Sequence, residues 1–183
     1  TLLRVAAGFA AGMAAGLLAG TLTAFSRAAD VLLTPLKNII KATPVTSFIV
    51  LILLYFSSNV TPSAVAFLAV LPICWSNVCE GLRQTDKKMT ELAHAYAFGR
   101  KKTLREIYFP AVRPYLSAAA TTGLGFAWKS CVAAEVIALS KNSVGRALYE
   151  SKLYLETAEL FAWTASVVLI SVLFEKLLVH KLF

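Results

Sequence analysis

Residues 91–110 read ELAHAYAFGRKKTLREIYFP, a polar island between two long apolar segments. Arg100, Lys101, Lys102 and Arg105 crowd its second half, and Lys87 and Lys88 come just before it. Basic residues next to apolar spans collect on the cytoplasmic side of a membrane, so the island reads as an inside loop. The wider stretch 83–106 strengthens that reading, with seven Lys or Arg (83, 87, 88, 100, 101, 102, 105) against acids at 86, 91 and 106.

Composition agrees. Hydrophobic residues make up 58% of the 183 residues, charged residues only 15%, and the mean hydropathy is +0.69. An ordinary soluble domain is far less apolar. The formal charge of +8 invites a nucleic-acid partner. The basic residues lie in loops beside apolar spans, however, without an interleaved aromatic face, so lipid and membrane topology account for them and nucleic acid is excluded. Cys74, Cys79 and Cys131 sit inside apolar segments with no C-x-x-C pair, and only His94 and His180 could join them. No metal, cofactor or disulfide framework is implied.

Outward from the island, the chain divides into five spans. Residues 3–25 are long enough to cross a core of about 30 Å as a helix. Gly8, Gly12, Gly16 and Gly20 recur there every fourth residue, a ridge without side chains that lets another helix approach closely, in the bundle or across a dimer. Residues 27–43 carry Arg27, Asp30, Lys37, Lys41 and Pro35, and read as an interfacial amphipathic segment too charged to span. Residues 44–58 form the second expected span and 62–82 the third, with Pro72 in its middle and Asn77 and Glu80 in the polar cluster that follows. Residues 111–139 are the fourth and about 158–178 the last, ending near Lys176, His180 and Lys181. Alternation then places the N-terminus outside. Residues 140–157 form an outer polar segment with Gly145 as breaker and a short helical pattern from Arg146. The chain starts at Thr1 without an initiator methionine or a cleavable signal pattern, so it reads as a fragment lacking one earlier helix.

Glu91, Ala93, Ala97, Ile107 and Pro110 fall on the pattern E-A-A-x-x-x-G-x(9)-I-x-L-P. This resembles the coupling loop of ATP-binding-cassette importer permeases. Leu92, Ala97 and Phe109 depart from it, and Gly99 lies two residues past the expected glycine, a candidate new position for the sharp turn. The phrase AWKSCVAAE, residues 127–135, is similar to the same segment in the sulfonate, taurine and nitrate branch of that family. The resemblance implies an all-α, polytopic membrane helix bundle, one permease domain over residues 1–183, with a coupling loop at 83–109. It implies no enzymatic activity in this chain. Its partners would be a separate ABC ATPase subunit, an extracytoplasmic substrate-binding protein, a second permease copy in a homodimer, and the lipid of the cell inner membrane.

The resemblance also assigns roles. The loop would form two short helices seated in the ATPase, with Glu91, Ala93, Ala97, Gly99 and Ile107 at or near the contact and Pro110 setting the angle of re-entry. Arg100–Lys102 read as a solvated or lipid-facing surface. Candidates for a translocation path are Asn77, Glu80, Thr121, Thr122, Trp128, Lys129 and Glu135, with interhelical hydrogen bonding the competing role for Asn77, Thr121 and Thr122. Ionisable residues deep in a span must pair or face water. Lys129 and Glu135 are six apart, about 120° around a helix, so each needs a partner elsewhere. For Lys129 the options are a small anion such as a sulfonate, taurine or nitrate, or a structural pair with a carboxylate such as Glu80. An intramembrane enzyme lacks its signs here, with no G-x-S-x-G and no paired aspartates. A stand-alone carrier or channel would need no coupling loop, and no inverted repeat is visible.

Overall fold

The computed structural model describes the backbone of residues 1–182, and the side chains of these except Lys87, His94, Glu175 and residues 177–182. The described chain is helix and connecting turn. Helices are α1 (Leu2–Phe25), α2 (Arg27–Ala42), α3 (Val45–Leu53), α4 (Thr61–Arg83), α5 (Lys87–Ala95), α6 (Arg100–Thr103), α7 (Phe109–Ala138), α8 (Val144–Leu153) and α9 (Thr157–Leu182). A π-helical turn, Leu104–Tyr108, joins α6 to α7. Among the described residues, α1, α4 and the Thr157–Phe174 part of α9 are long and apolar enough to cross a membrane. The inside charges expected at His180 and Lys181 fall on side chains outside the described residues.

The glycine ridge organises the interior, and its partner is in the bundle. Gly8 faces Ala66, Gly12 faces Val70, Gly16 faces Cys74 and Gly20 faces Val78, and a Cβ on any of the four would come within 3 Å of α4 atoms. Both ridges follow every fourth residue, the geometry that lets two backbones pack closely. Partner numbers rise together, so α1 and α4 run parallel. Helix α7 runs the other way, since Gly123 lies against Val70 while Tyr115 lies against Gly81. Val5, Ala66, Val70, Ala127, Trp128, Cys131 and Val132 form the main core where these helices meet.

Two parallel helices joined in sequence require the chain to cross back between them. Helices α2 and α3 together make that return, bent by 99° at a short break. Asp30 is level with Arg83 at one end, Lys41 and Thr43 are beside Pro72, and Ile49 packs on Val65 and Ala134. Ser58 and Asn59 finally reach Ser140 and Lys141 at the other end. This corrects two expectations. The 27–43 segment is the first half of a crossing, and the 44–58 span is helical only over Val45–Leu53, about 14 Å and too short to cross alone. The cause is local: Pro44 disfavours helix at the residue before it, and Thr43 is extended (φ −76°, ψ 126°).

The ends of the bundle are each tied by an arginine. At the end holding Thr1, Thr61 and Ala138, Arg4 Nη1 donates to Glu135 Oε1 at 2.8 Å, and Arg4 Nη2 donates to Asn59 Oδ1 and the Lys141 carbonyl. At the end holding the basic loop, Arg83 Nη2 donates to Asp30 Oδ2 at 2.7 Å and to the Thr23 carbonyl. Thr23 Oγ1 in turn accepts from the indole of Trp75 at 2.9 Å.

Candidate functional site

The basic loop folds as two unequal parts. Helix α5 is a separate nine-residue piece, whereas α6 continues through the π turn directly into α7. Pro110 lies in the first turn of α7, where its ring crowds the carbonyl four residues earlier, at Glu106. The wider π turn there, closed by the Phe109 amide on the Leu104 carbonyl, accommodates the ring. Pro110 therefore shapes a continuous helix rather than a bend at re-entry. Tyr108 in the π turn meets Phe25 edge-on at 5.4 Å, which ties the loop to the end of α1.

The sharp turn stays at Ala97. Ala97 has φ 52°, in the left-handed region, while Gly99 is extended and has open space around it. An alanine there bears a steric cost that glycine would avoid, which accounts for glycine in the related pattern. The expectation that Gly99 took over the turn is overturned. Ala93 is 3% exposed and so already buried within this chain. Glu91 is exposed and Ile107 partly buried. The motif does not include Met89 and Leu92, which share one face of α5 by spacing, or Tyr96 in the turn that follows, its amide bonded to the Leu92 carbonyl; the three are 56%, 53% and 71% exposed.

Of the residues considered for a path, Glu135 and Trp128 are buried in the bundle. Glu135 has no exposed surface and accepts bonds from Arg4, the Thr1 hydroxyl and the Gly145 amide. Gly145 packs directly on Glu135, where a Cβ would collide with that side chain. It is thus a close-approach glycine inside α8, a helix capped by Ser143, and not a breaker. Trp128 donates to the Val167 carbonyl at 3.1 Å and meets Phe174 edge-on, fastening α9 to α7. Asn77 donates to the Ile73 carbonyl of its own helix and Thr121 to the Ser117 carbonyl, while Glu80 accepts from Gln84.

Lys129 is different. It is exposed on α7, and it lines a 230 Å³ cavity with Thr121, Thr122, Gly125, Phe126 and Ser171. A pair with Glu80 is ruled out by register, because Glu80 lies at the level of Tyr115, about 20 Å along α7 from Lys129. On the other flank of Thr122 and Phe126 is a groove of 320 Å³ formed by the α2–α3 break against α4, with Lys41 at its edge. No group of His, Cys, Asp and Glu able to hold a metal occurs among the described residues.

Apolar crossing helices, a broken return segment and a basic helical loop at one end define a multi-pass membrane helix bundle. The family model for the binding-protein-dependent transport system inner membrane component matches residues 12–179. The chain belongs to that family of inner-membrane transport permeases. It is similar to the putative aliphatic sulfonates transport permease protein SsuC of Bacillus subtilis (strain 168), with 27% identity over 164 residues, 88% of this chain and 59% of that protein. It is also similar to a probable ABC transporter permease protein of Brucella melitensis biotype 1, with 25% identity over 179 residues, 97% of this chain and 72% of the relative. The chain thus spans 59% of the Bacillus protein's length and 72% of the Brucella protein's.

Proposed function

We propose that this chain is the membrane-spanning permease subunit of an ATP-driven importer. It works as a single permease domain paired with a second copy, with an ATPase subunit inside and a substrate-binding protein outside. The observation that carries the reading is the exposed apolar group of Met89 and Leu92 on α5 and Tyr96 in the turn after it, in the basic loop. Such a face in water calls for a protein partner. Glu91 and Ala97 flank it, and Arg100–Lys102 supply charge at its side. The continuous α6–π–α7 helix then carries motion of that face into the bundle. ATP hydrolysis belongs to the partner.

The substrate is a small anion such as a sulfonate, taurine or nitrate, and Lys129 meets it on the face of α7 that α4 and α9 leave open. The sulfonate permease among the relatives supports that substrate class. Leu92→Asp tests the coupling. The variant should insert in the membrane normally, lose ATP-driven uptake about tenfold or more, and fail to retain an ATPase subunit on purification. Wild-type uptake by Leu92→Asp, or purification of the native protein without any ATPase, would instead favour a stand-alone carrier.

A further inference from the structure

The α2–α3 break lies at mid-depth. Lys41 and Thr43 share a groove with Leu68, Pro72 and Ile73, and Pro72 is near the midpoint of α4 (Thr61–Arg83). Thr122 and Phe126 line this groove and also the cavity of Lys129. The two spaces therefore flank one ridge of α7, with a lysine on either side. One turn below Lys41, Lys37 lies over the Trp75 ring at 5.6 Å, so α2 directs cations toward the bundle at two successive turns. A lysine at such depth is costly unless it meets water or an anion.

Carboxylates do not neutralise this region among the described side chains. Asp30 is held by Arg83 at the loop end and Glu135 by Arg4 at the far end. Glu150 pairs with Arg146 on α8. Neither Lys41 nor Lys129 has an ion-pair partner among the described residues. Each end of the bundle holds a buried or half-buried ion pair, while its middle presents two lysines without one across a shared Thr122–Phe126 ridge.

We infer that Lys41, at the α2–α3 break, is a second anion-contacting residue of the permeation path, handing a small oxyanion to or from Lys129 across the Thr122–Phe126 ridge. The inference rests on the proposed transport of an anion. Two cationic stations allow stepwise passage, since an anion leaving one lysine is met by the next. The groove lies at the break between α2 and α3, with Lys41, Thr43 and Val45 among its lining.

Lys41→Cys in the intact, membrane-embedded protein provides the test. Cys74, Cys79 and Cys131 are buried, so wild-type protein is the unreactive control. The anionic reagent sulfonatoethyl methanethiosulfonate should label Cys at position 41 about tenfold faster than the cationic trimethylammonium reagent, because Lys37 and Lys129 concentrate anions there. The preference should shrink in the Lys41→Cys/Lys129→Met double variant. No labelling, or faster labelling by the cation, would overturn the inference.

A second arm reads function in vesicles holding the complete transporter. Lys41→Cys should lower ethanesulfonate uptake about tenfold, aminoethyl methanethiosulfonate should restore it by rebuilding a lysine-like cation, and methyl methanethiosulfonate should not. Uptake unchanged in Lys41→Cys, or restored equally by the neutral reagent, would also overturn it. A wild-type transporter that takes up no ethanesulfonate counts against the proposed substrate class, and the labelling preference then decides on Lys41 by itself.

Discussion

The two arginine clamps use one ion-pair chemistry in opposite surroundings. At the Thr1 end, Glu135 is fully buried and Arg4 is 19% exposed. Four further groups converge there: Thr1, Asn59, the Lys141 carbonyl and the Gly145 amide. At the loop end, Arg83 and Asp30 are 47% and 32% exposed, and their bond can open into water at little cost. The difference separates an end that holds its helices in one arrangement from an end that can yield. The yielding end is the one that carries α5 and the exposed apolar face.

Breaking the clamp at the Thr1 end should therefore have the largest effect. Glu135→Ala leaves the Arg4 guanidinium without its buried partner, a loss of about 3–5 kcal/mol where burial is complete. The expected outcome is collapse of the monodisperse yield and a sharply lowered melting midpoint in detergent. Arg4→Met should behave similarly, and near-wild-type melting of both would remove the contrast.

Next comes the seam that joins the clamps. Gly16→Leu forces a side chain where even a Cβ would lie 2.6 Å from Cys74 Cβ and 2.9 Å from the Leu71 carbonyl. The expected cost is about 1–3 kcal/mol, read as a lower melting midpoint. Gly125→Leu on α7, where nothing lies within 4 Å, should change the midpoint little and serves as the matched control.

The clamp at the loop end should matter least for stability. Asp30→Asn is expected to move the melting midpoint only slightly, since the pair is open to solvent. A double-mutant cycle with Arg83→Met should give a coupling energy well below that of the Arg4–Glu135 cycle. If the two coupling energies prove equal, exposure is not what distinguishes the ends.

How much of this was legible depends on how local each signal is. The basic island, the spans and the glycine ridge are patterns of a single segment, and each carries its own physics. The partner of the ridge is not, because Gly16 against Cys74 is a matter of register between two helices. The same holds for Arg4 and Glu135, whose separation of 131 residues no spacing rule bridges. The return crossing was half legible: Pro44 marks the boundary, but only the parallel packing of α1 and α4 requires α2 to share the crossing. Met89, Leu92 and Tyr96 are legible as one apolar stripe at helical spacing, but the motif covers Glu91 and Ala93 and says nothing of that stripe. The 83–109 boundary of the loop followed the charge run, whereas hydrogen bonding extends α7 back through the π turn.

The smallest effect sharpens the comparison from the yielding side. Ala97 at φ 52° bears a left-handed conformation that costs a non-glycine residue roughly 1–2 kcal/mol. Glycine removes that cost but loses about 0.5–1 kcal/mol of backbone entropy on folding. Ala97→Gly should thus be neutral or stabilise by about 0.5 kcal/mol, detectable as slower proteolysis between α5 and α6 with no change in the melting of the bundle. Gly99→Ala, at an extended position with open space, should leave proteolysis of the loop unchanged or slow it. The opposite pattern, tolerance at Ala97 with strain at Gly99→Ala, would return the turn to Gly99 and shift the hinge of α5 by two residues.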